Sequence, residues 1–235
     1  MRVEPRGVAT PPGFELLPGR GAWLPTSRTL LVADLHLGKA ASFRHAGLPV
    51  PEGSSGGDLQ RLERLLTQTG AARLLILGDL FHAASGCTPA VLDEFARFRR
   101  RHAGVRVVLV EGNHDRRIQI PDDVGIDQVL PRLEEPPWVF LHEPPVAAEA
   151  ERLVCCGHLH PRISIRSPSG DRLSQRCFVE EPGVWVLPAF GSFTGSSTVT
   201  VTATTRVWVA GDEAVVDVSR MAQLASGRRP PSARA

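Results

Sequence analysis

Residues 29–39 spell TLLVADLHLGK. Leu30, Leu31, Val32 and Ala33 form a short, continuous apolar run, the pattern of a strand buried on both faces. The run ends on Asp34 and His36, two side chains able to hold a cation, so the strand delivers chemistry at its C-terminal end. Working outward, the same arrangement recurs in RLLILGD (73–79), VRVVLVEGNHD (105–115), WVFLHE (138–143) and RLVCCGHLH (152–160). Each is an apolar strand candidate opening onto Asp79, Asn113, His142, or the pair His158 and His160. If these strand ends stay extended, the two side chains of D-x-H or H-x-H point the same way, and each motif presents a pair of ligands. Glycines beside Asp79, Asn113 and His158 allow sharp exits from the strands.

Two carboxylates, one amide oxygen and four imidazoles form a mixed oxygen and nitrogen donor set suited to two hard or borderline divalent cations. Such a pair does hydrolysis at phosphorus.

Between these motifs the pattern alternates. Phe14 to Leu17 and Ala22 to Leu24 flank Pro18-Gly19-Arg20-Gly21 and predict a hairpin. Residues 41–57 break periodicity with proline, glycine and serine and are expected to be a loop that leaves the first ligand motif; either it reaches substrate through Arg44 or His45 or it is a plain surface connection. Leu59, Leu62, Leu65 and Leu66 predict a helix after Asp58. Thr88-Pro89 predicts an N-cap and first helical position, followed by Val91, Leu92, Phe95 and Phe98 on one face and a basic last turn. From Ile163 onward helical periodicity disappears, and short β-prone runs are broken by turn signals at 167–171 and at Gly211-Asp212. The expected fold is α/β (α+β), two packed sheets with helices outside the first and less cover on the second. One domain is expected over residues 1–220, with 221–235 a disordered tail.

Composition narrows the function classes. Of 235 residues, 42% are hydrophobic and 22% charged, which excludes a wholly disordered chain. The net charge of +2 permits nucleic acid as a partner without arguing for it. Arg99 to Arg101 and the pair Arg116, Arg117 are local basic clusters; either they bind phosphate or they are solvated. Lys39 is the only lysine and lies within the first motif. A compact ammonium there is a point donor near the site, or a lysine left by chance. Cys87, Cys155, Cys156 and Cys177 show no CxxC spacing, as expected of a reduced cytoplasmic protein. No apolar run is long enough to cross a bilayer, and the N-terminal stretch does not read as a signal peptide.

In order, these motifs resemble the calcineurin-like metallophosphoesterase family, whose pattern is D-x-H, G-D, G-N-H-[DE], H and G-H-x-H. The resemblance spans about residues 29–160. It implies a four-layer αββα sandwich of two mixed sheets and a dinuclear centre bridged by Asp79. Asp34, His36 and His160 would complete one metal site; Asn113, His142 and His158 would complete the other. Mn²⁺ is the expected metal, with Fe, Zn, Co or Ni as alternatives, and a bridging hydroxide would attack phosphorus in line. His114 would serve the leaving oxygen, with Asp115 orienting it through the other ring nitrogen. His82 stands where many relatives carry aspartate, which leaves its role open. His45 and His102 lack such support and are taken as structural.

ADLHLGK, GDLFH, LHEP, CGHLHP and LPAFGSFTG (187–195) further resemble the PdeM family of ligase-associated DNA damage response phosphoesterases. That likeness implies a nucleic-acid phosphodiester or blocked DNA end as substrate, and a functional association with an ATP-dependent DNA ligase, a helicase and an exonuclease. The small residues of 187–195 would let backbone N–H groups approach a phosphate, unless the segment is a turn between strands. Arg116, Arg117, Lys39 and Arg44 are the candidate substrate contacts, and Phe43 and Phe193 the candidate base-stacking rings. Two alternatives stay open: the same chemistry on a phosphomonoester or small nucleotide, and a scaffold on this fold without catalysis.

Overall fold

The computed structural model describes residues 7–10, 13–50, 54–146, 152–166, 170 and 172–226. Among these, strands β1 (Val8–Thr10), β2 (Phe14–Leu17), β3 (Gly21–Leu24), β4 (Thr29–Val32), β5 (Arg73–Leu77), β6 (Arg106–Val110) and β7 (Gln128–Leu130) form one sheet in sequential order. Its first four strands are antiparallel, and β4 to β7 run parallel. The second sheet holds β8 (Leu133–Glu135), β9 (Trp138–Phe140), β10 (Leu153–Cys156), β11 (Pro161–Arg166), β12 (Arg172–Glu181), β13 (Val184–Val186), β14 (Ser197–Thr198), β15 (Arg206–Ala210) and β16 (Val215–Asp217). Within it, β9, β10 and β13 run parallel.

The continuous apolar runs produce this layering because a strand alternates its side chains between two faces. Leu30, Val32, Leu74, Ile76, Val107 and Leu109 face α2 (Ser54–Thr69) and α3 (Pro89–Arg101), where Leu59, Leu62, Leu65, Phe95 and Phe98 complete the layer. Their neighbours Leu31, Leu75, Leu77, Val108 and Val110 face the second sheet and pack with Trp138, Phe140, Phe178, Trp185 and Trp208. Each such side chain, fully buried, contributes about 1.5–3 kcal/mol. A third apolar layer puts Val139, Val154, Cys177 and Val207 against Ala222 of α4 (Ser219–Ala225). The order is therefore α, β, β, α, as the resemblance implied, and among the described residues a seven-residue helix is the helical cover of the second sheet.

Two boundaries differ from expectation. The supposed loop at 41–57 begins as a helix, α1 (Lys39–His45), which buries Ala40, Ala41 and Ser42; residues 46–50 are turn and irregular, and α2 has started by Ser54. Residues 51–53 lie outside the described residues. The expected end of the folded unit at 220 falls inside α4, where buried Gln223 donates to the carbonyls of Ala203 (3.2 Å) and Thr205 (3.0 Å). These bonds satisfy backbone carbonyls, so the chain stays packed past that point. The remainder of the tail from 227, and the turn at 167–171 apart from Gly170, lie outside the described residues. The Thr88 cap is present, its side chain accepting from the Val91 N–H at 3.4 Å. All four cysteines are free thiols, three of them buried, and among the described residues no helix is long and apolar enough to cross a membrane.

Candidate metal centre

Because β4, β5, β6, β9 and β10 are parallel within their sheets, their C-terminal ends share one edge of the sandwich. A bridge from Ala33 to Ala189 couples the two sheets at that edge. Asp34 and His36 leave β4, Asp79 leaves β5, Asn113 leaves β6, His142 leaves β9, and His158 and His160 leave β10. All seven expected ligands come together there.

His36 Nε2 lies 3.2 Å from His160 Nε2, and His160 Nε2 lies 3.3 Å from Asp34 Oδ1. His142 Nε2 lies 3.0 Å from Asn113 Oδ1 and 3.1 Å from His158 Nδ1. Asp79 reaches both groups, with Oδ2 3.6 Å from His36 Nε2 and Oδ1 3.5 Å from His142 Nε2. The His142 Nδ1–H donates to the Leu77 carbonyl at 2.9 Å, which fixes the tautomer that turns Nε2 inward. Asp34 in turn accepts from the His158 N–H at 3.0 Å.

The pairs D-x-H and H-x-H converge by a different route from the extended one expected. Asp34 (φ 56°), His36 (φ 48°), Asp79 (φ 53°), His158 (φ 66°) and His160 (φ 46°) are all left-handed. Each such turn costs a side-chain-bearing residue about 1–2 kcal/mol, and strain of this kind persists where function fixes the backbone. Tight turns let the backbone curl around the donors. Two glycines make room for it: a Cβ on Gly78 would stand 2.1 Å from His142 Nδ1, and one on Gly112 would stand 2.3 Å from Asp79 Oδ1.

The donor set fits divalent cations on the structure's own terms. Asp34 is 0% and Asp79 2% exposed, and among the described residues their ion partners are all histidines. Burial, followed by the neighbouring His160 and His114 rings and the Lys39 ammonium, depresses the His36 ring to about 2, so it stays neutral at physiological pH. Burial is also the main cause that raises the Asp79 carboxyl, and the adjacent Asp34 adds to it. Two buried carboxylates without a guanidinium or ammonium partner are costly unless a cation neutralises them. Neutral imidazoles and carboxylates are the forms that bind one.

His114 sits at the rim, its Nε2 3.9 Å from Asp79 Oδ2 and its backbone N–H donating to Asp79 Oδ1 at 3.0 Å. Its orienting partner is not Asp115. The His114 Nδ1–H donates to the carbonyl of His82, whose ring stacks on His114 at 4.9 Å. Asp115 instead accepts backbone N–H groups from Asp79 (2.7 Å), Gly112 (3.0 Å), Leu80 (3.0 Å) and Phe81 (3.4 Å). Its short side chain is turned down into the strand-end turns, so it shapes the backbone that carries Asp79 rather than touching the ring above. His82 is thus the residue beside His114; burial, then Lys39 and His114, depress its ring to about 4.

The remaining candidates divide. Lys39 opens α1 within reach of the centre, its ammonium 5.8 Å from the Phe43 ring centroid. Burial first, then Arg176, lowers its pKa, and Asp79 opposes the shift. Arg44 is exposed and turns back to the Val50 carbonyl at 3.3 Å. Arg116 is exposed, 3.7 Å from Glu111 and 3.9 Å from Glu143, and Arg117 is exposed at the end of the same short turn. His45 is exposed, and His102 packs on Phe98 with Glu63 3.7 Å away.

Segment 187–195 is a clamp on the metal edge and not a row of free N–H donors. The Phe190 and Gly191 N–H groups donate to the Ala33 and Asp34 carbonyls at 2.8 and 3.0 Å, and the Ser192 N–H to Asp58 at 2.8 Å. Arg176 donates to the carbonyls of Ala189, Gly191, Ser192 and Thr194, while Arg20 and Arg61 both donate to Phe190 O. Buried Asp58 accepts from Arg61 at 2.7 Å. These four residues were missed from the sequence, where no local pattern distinguishes Arg176 or Arg20 from the many other arginines.

The profile of the calcineurin-like phosphoesterase family matches residues 27–182. The crystal structure of the Pseudomonas putida nuclease MPE is similar with a TM-score of 0.75 and 36% identity, covering 91% of this chain and 100% of that one. Yfce, a phosphoesterase from E. coli, covers 80% of this chain and 96% of its own at 16% identity and a TM-score of 0.39. No curated protein matches the chain.

Proposed function

Because the chain belongs to the calcineurin-like phosphoesterase family, we propose that it is a metal-dependent phosphodiesterase that cleaves nucleic acid, DNA foremost. The observation that carries this reading is the position of Asp79 between two donor groups, Asp34 with His36 and His160 on one side and Asn113 with His142 and His158 on the other. The nucleic-acid substrate is supported by the likeness to a nuclease at 36% identity. Work in DNA repair, beside an ATP-dependent DNA ligase, a helicase and an exonuclease, is supported by the motif resemblance, and a cytoplasmic setting by the cysteine pattern.

Two divalent ions, Mn²⁺ by preference, would supply Lewis acidity to the phosphoryl oxygens and acidify the attacking water. The chain's own groups do the rest. Asp79 joins the two halves, His142 is held in one tautomer by Leu77, and left-handed turns set the directions of Asp34, His36, Asp79, His158 and His160. His114, locked through Nδ1 to the His82 carbonyl, presents Nε2 toward the centre. When that nitrogen carries a proton, it can pass to the leaving oxygen as the phosphorus–oxygen bond breaks.

Purified protein freed of metal by a chelator should lose hydrolysis of bis-p-nitrophenyl phosphate and regain it with Mn²⁺. Turnover of p-nitrophenyl phosphate should stay well below that of the diester. A protein that prefers the monoester, or that works without metal, overturns the reading. His114→Ala should keep metal content and folding yet lose about 10²- to 10⁴-fold in turnover of a diester with an alkyl leaving group. A smaller loss is expected with p-nitrophenolate, which leaves without a proton. Equal activity on the alkyl ester would remove His114 as the acid.

A further inference from the structure

A row of rings leads outward from the metal centre. His114 stacks on His82 at 4.9 Å, His82 meets Phe43 at 6.1 Å, and Phe43 meets Phe193 edge to face at 5.5 Å. The row starts at a histidine within 4 Å of Asp79 and ends at a phenylalanine 38% exposed to solvent. Both phenylalanines come from segments anchored at the same edge: α1 begins three residues after His36, and the clamp segment pairs with Asp34.

The outer ring is held firmly. The Ser192 N–H and hydroxyl donate to Asp58 at 2.8 and 2.6 Å, Arg176 donates to the carbonyls of Ser192 (3.0 Å) and Thr194 (3.1 Å), and the Thr194 hydroxyl donates to Gly191 O at 2.8 Å. An exposed phenylalanine with its backbone fixed on both sides is a preorganised apolar face, which binds a flat partner with little ordering cost. Lys39, one helical turn before Phe43 and at the start of α1, places an ammonium 5.8 Å from the ring centroid. Apolar rings beside a cation, next to a centre suited to phosphoryl groups, match the face of a nucleobase attached to a phosphate.

Resting on the phosphodiesterase reading above, we infer that Phe193 and Phe43, with Lys39 at their edge, form a stacking platform for the nucleobase next to the phosphate held at the Asp79 centre. Phe193 provides the open ring, Phe43 backs it, and Lys39 contacts a phosphate oxygen of the same nucleotide.

The test compares the p-nitrophenyl phosphodiester of thymidine with methyl p-nitrophenyl phosphate in the Mn²⁺-loaded enzyme. The wild type should favour the thymidine ester through a lower KM. Phe193→Leu should reduce that preference about tenfold or more, while Phe193→Trp restores it, because an aromatic face and not merely apolar bulk is required. A preference unchanged in Phe193→Leu, or a loss carried by kcat equally on both esters, overturns the platform. A short oligonucleotide carrying a fluorescent adenine analogue, quenched on stacking, gives a readout independent of turnover. Quenching by the wild type and by Phe193→Trp but not by Phe193→Leu supports the platform, and no difference among the three overturns it. Should the wild type cleave neither ester, the phosphodiesterase reading falls, and the quenching arm still decides the platform.

Discussion

Asp79→Asn is expected to lower the metal content of the purified protein and to reduce kcat/KM on a diester by at least about 10³-fold. The substitution keeps size and shape but removes the one charge that faces both donor groups, with Oδ2 3.6 Å from His36 Nε2 and Oδ1 3.5 Å from His142 Nε2. The His114 N–H can still donate to the amide oxygen, so the local turn survives. Stability separates this effect from simple misfolding. Burial, aided by Asp34, raises the Asp79 carboxyl above its ordinary range. A raised carboxyl opposes folding above its folded pKa, and the penalty fades as pH falls through that value. At neutral pH and without metal, the asparagine variant should therefore melt no lower than the chelated wild type. With metal present the order should reverse, because only the wild type gains the binding contribution. Metal analysis and melting with and without chelator read both signs, and a variant with its full metal complement and undiminished turnover would remove Asp79 from the centre.

What the sequence disclosed about this site follows from where information is local. The runs at 29–33, 73–77 and 106–110 are strands buried on both faces, so composition alone marks them, and each hands its next polar residue to the same edge. The seven donors were legible for that reason. Helix α1 was not, because seven residues make barely two turns, and its signature is three small buried residues, Ala40, Ala41 and Ser42, rather than a hydrophobic stripe. The left-handed conformations of Asp34, His36, Asp79, His158 and His160 were hidden too. Only glycine advertises a positive φ, whereas a side-chain-bearing residue adopts one when tertiary contacts impose it. The clamp around 187–195 depends on Arg176 and Asp58, and the bond from Ser192 to Asp58 spans 134 positions. Local periodicity carries nothing about a pairing at that separation. The role expected of Asp115 failed for a related reason: adjacency to His114 says nothing about which side of a short helical turn a carboxylate takes.

Asp115→Ala should accordingly act on the fold before it acts on chemistry. The wild-type carboxylate is 3% exposed and accepts four backbone N–H groups, from Asp79, Gly112, Leu80 and Phe81. Burial is the main force raising its pKa, and the N–H groups of Gly112, Phe81 and Asp79 pull the other way. Alanine removes the cost of the buried charge but leaves those N–H groups facing a hole too confined for the chain to refill. An unsatisfied buried donor costs about 1–3 kcal/mol, so a net loss of about 4 kcal/mol is expected. That corresponds to a fall in Tm of roughly 10 °C in a chain of this size. Asparagine keeps one acceptor oxygen and should recover part of the loss, because the two N–H bonds at 2.7 and 3.0 Å to Oδ2 compete with those to Oδ1 for it. Metal content should fall with stability, since two of the lost bonds hold the turn on which Asp79 and Leu80 sit. A hinge between Asp115 and His114 would behave in the opposite way: folding and metal would be intact, and only turnover with the alkyl leaving group would drop. Melting and metal analysis of Asp115→Ala beside His114→Ala therefore distinguish a carboxylate that builds the site's floor from one that tunes its acid, and a variant as stable and as metal-loaded as the wild type would restore the second role.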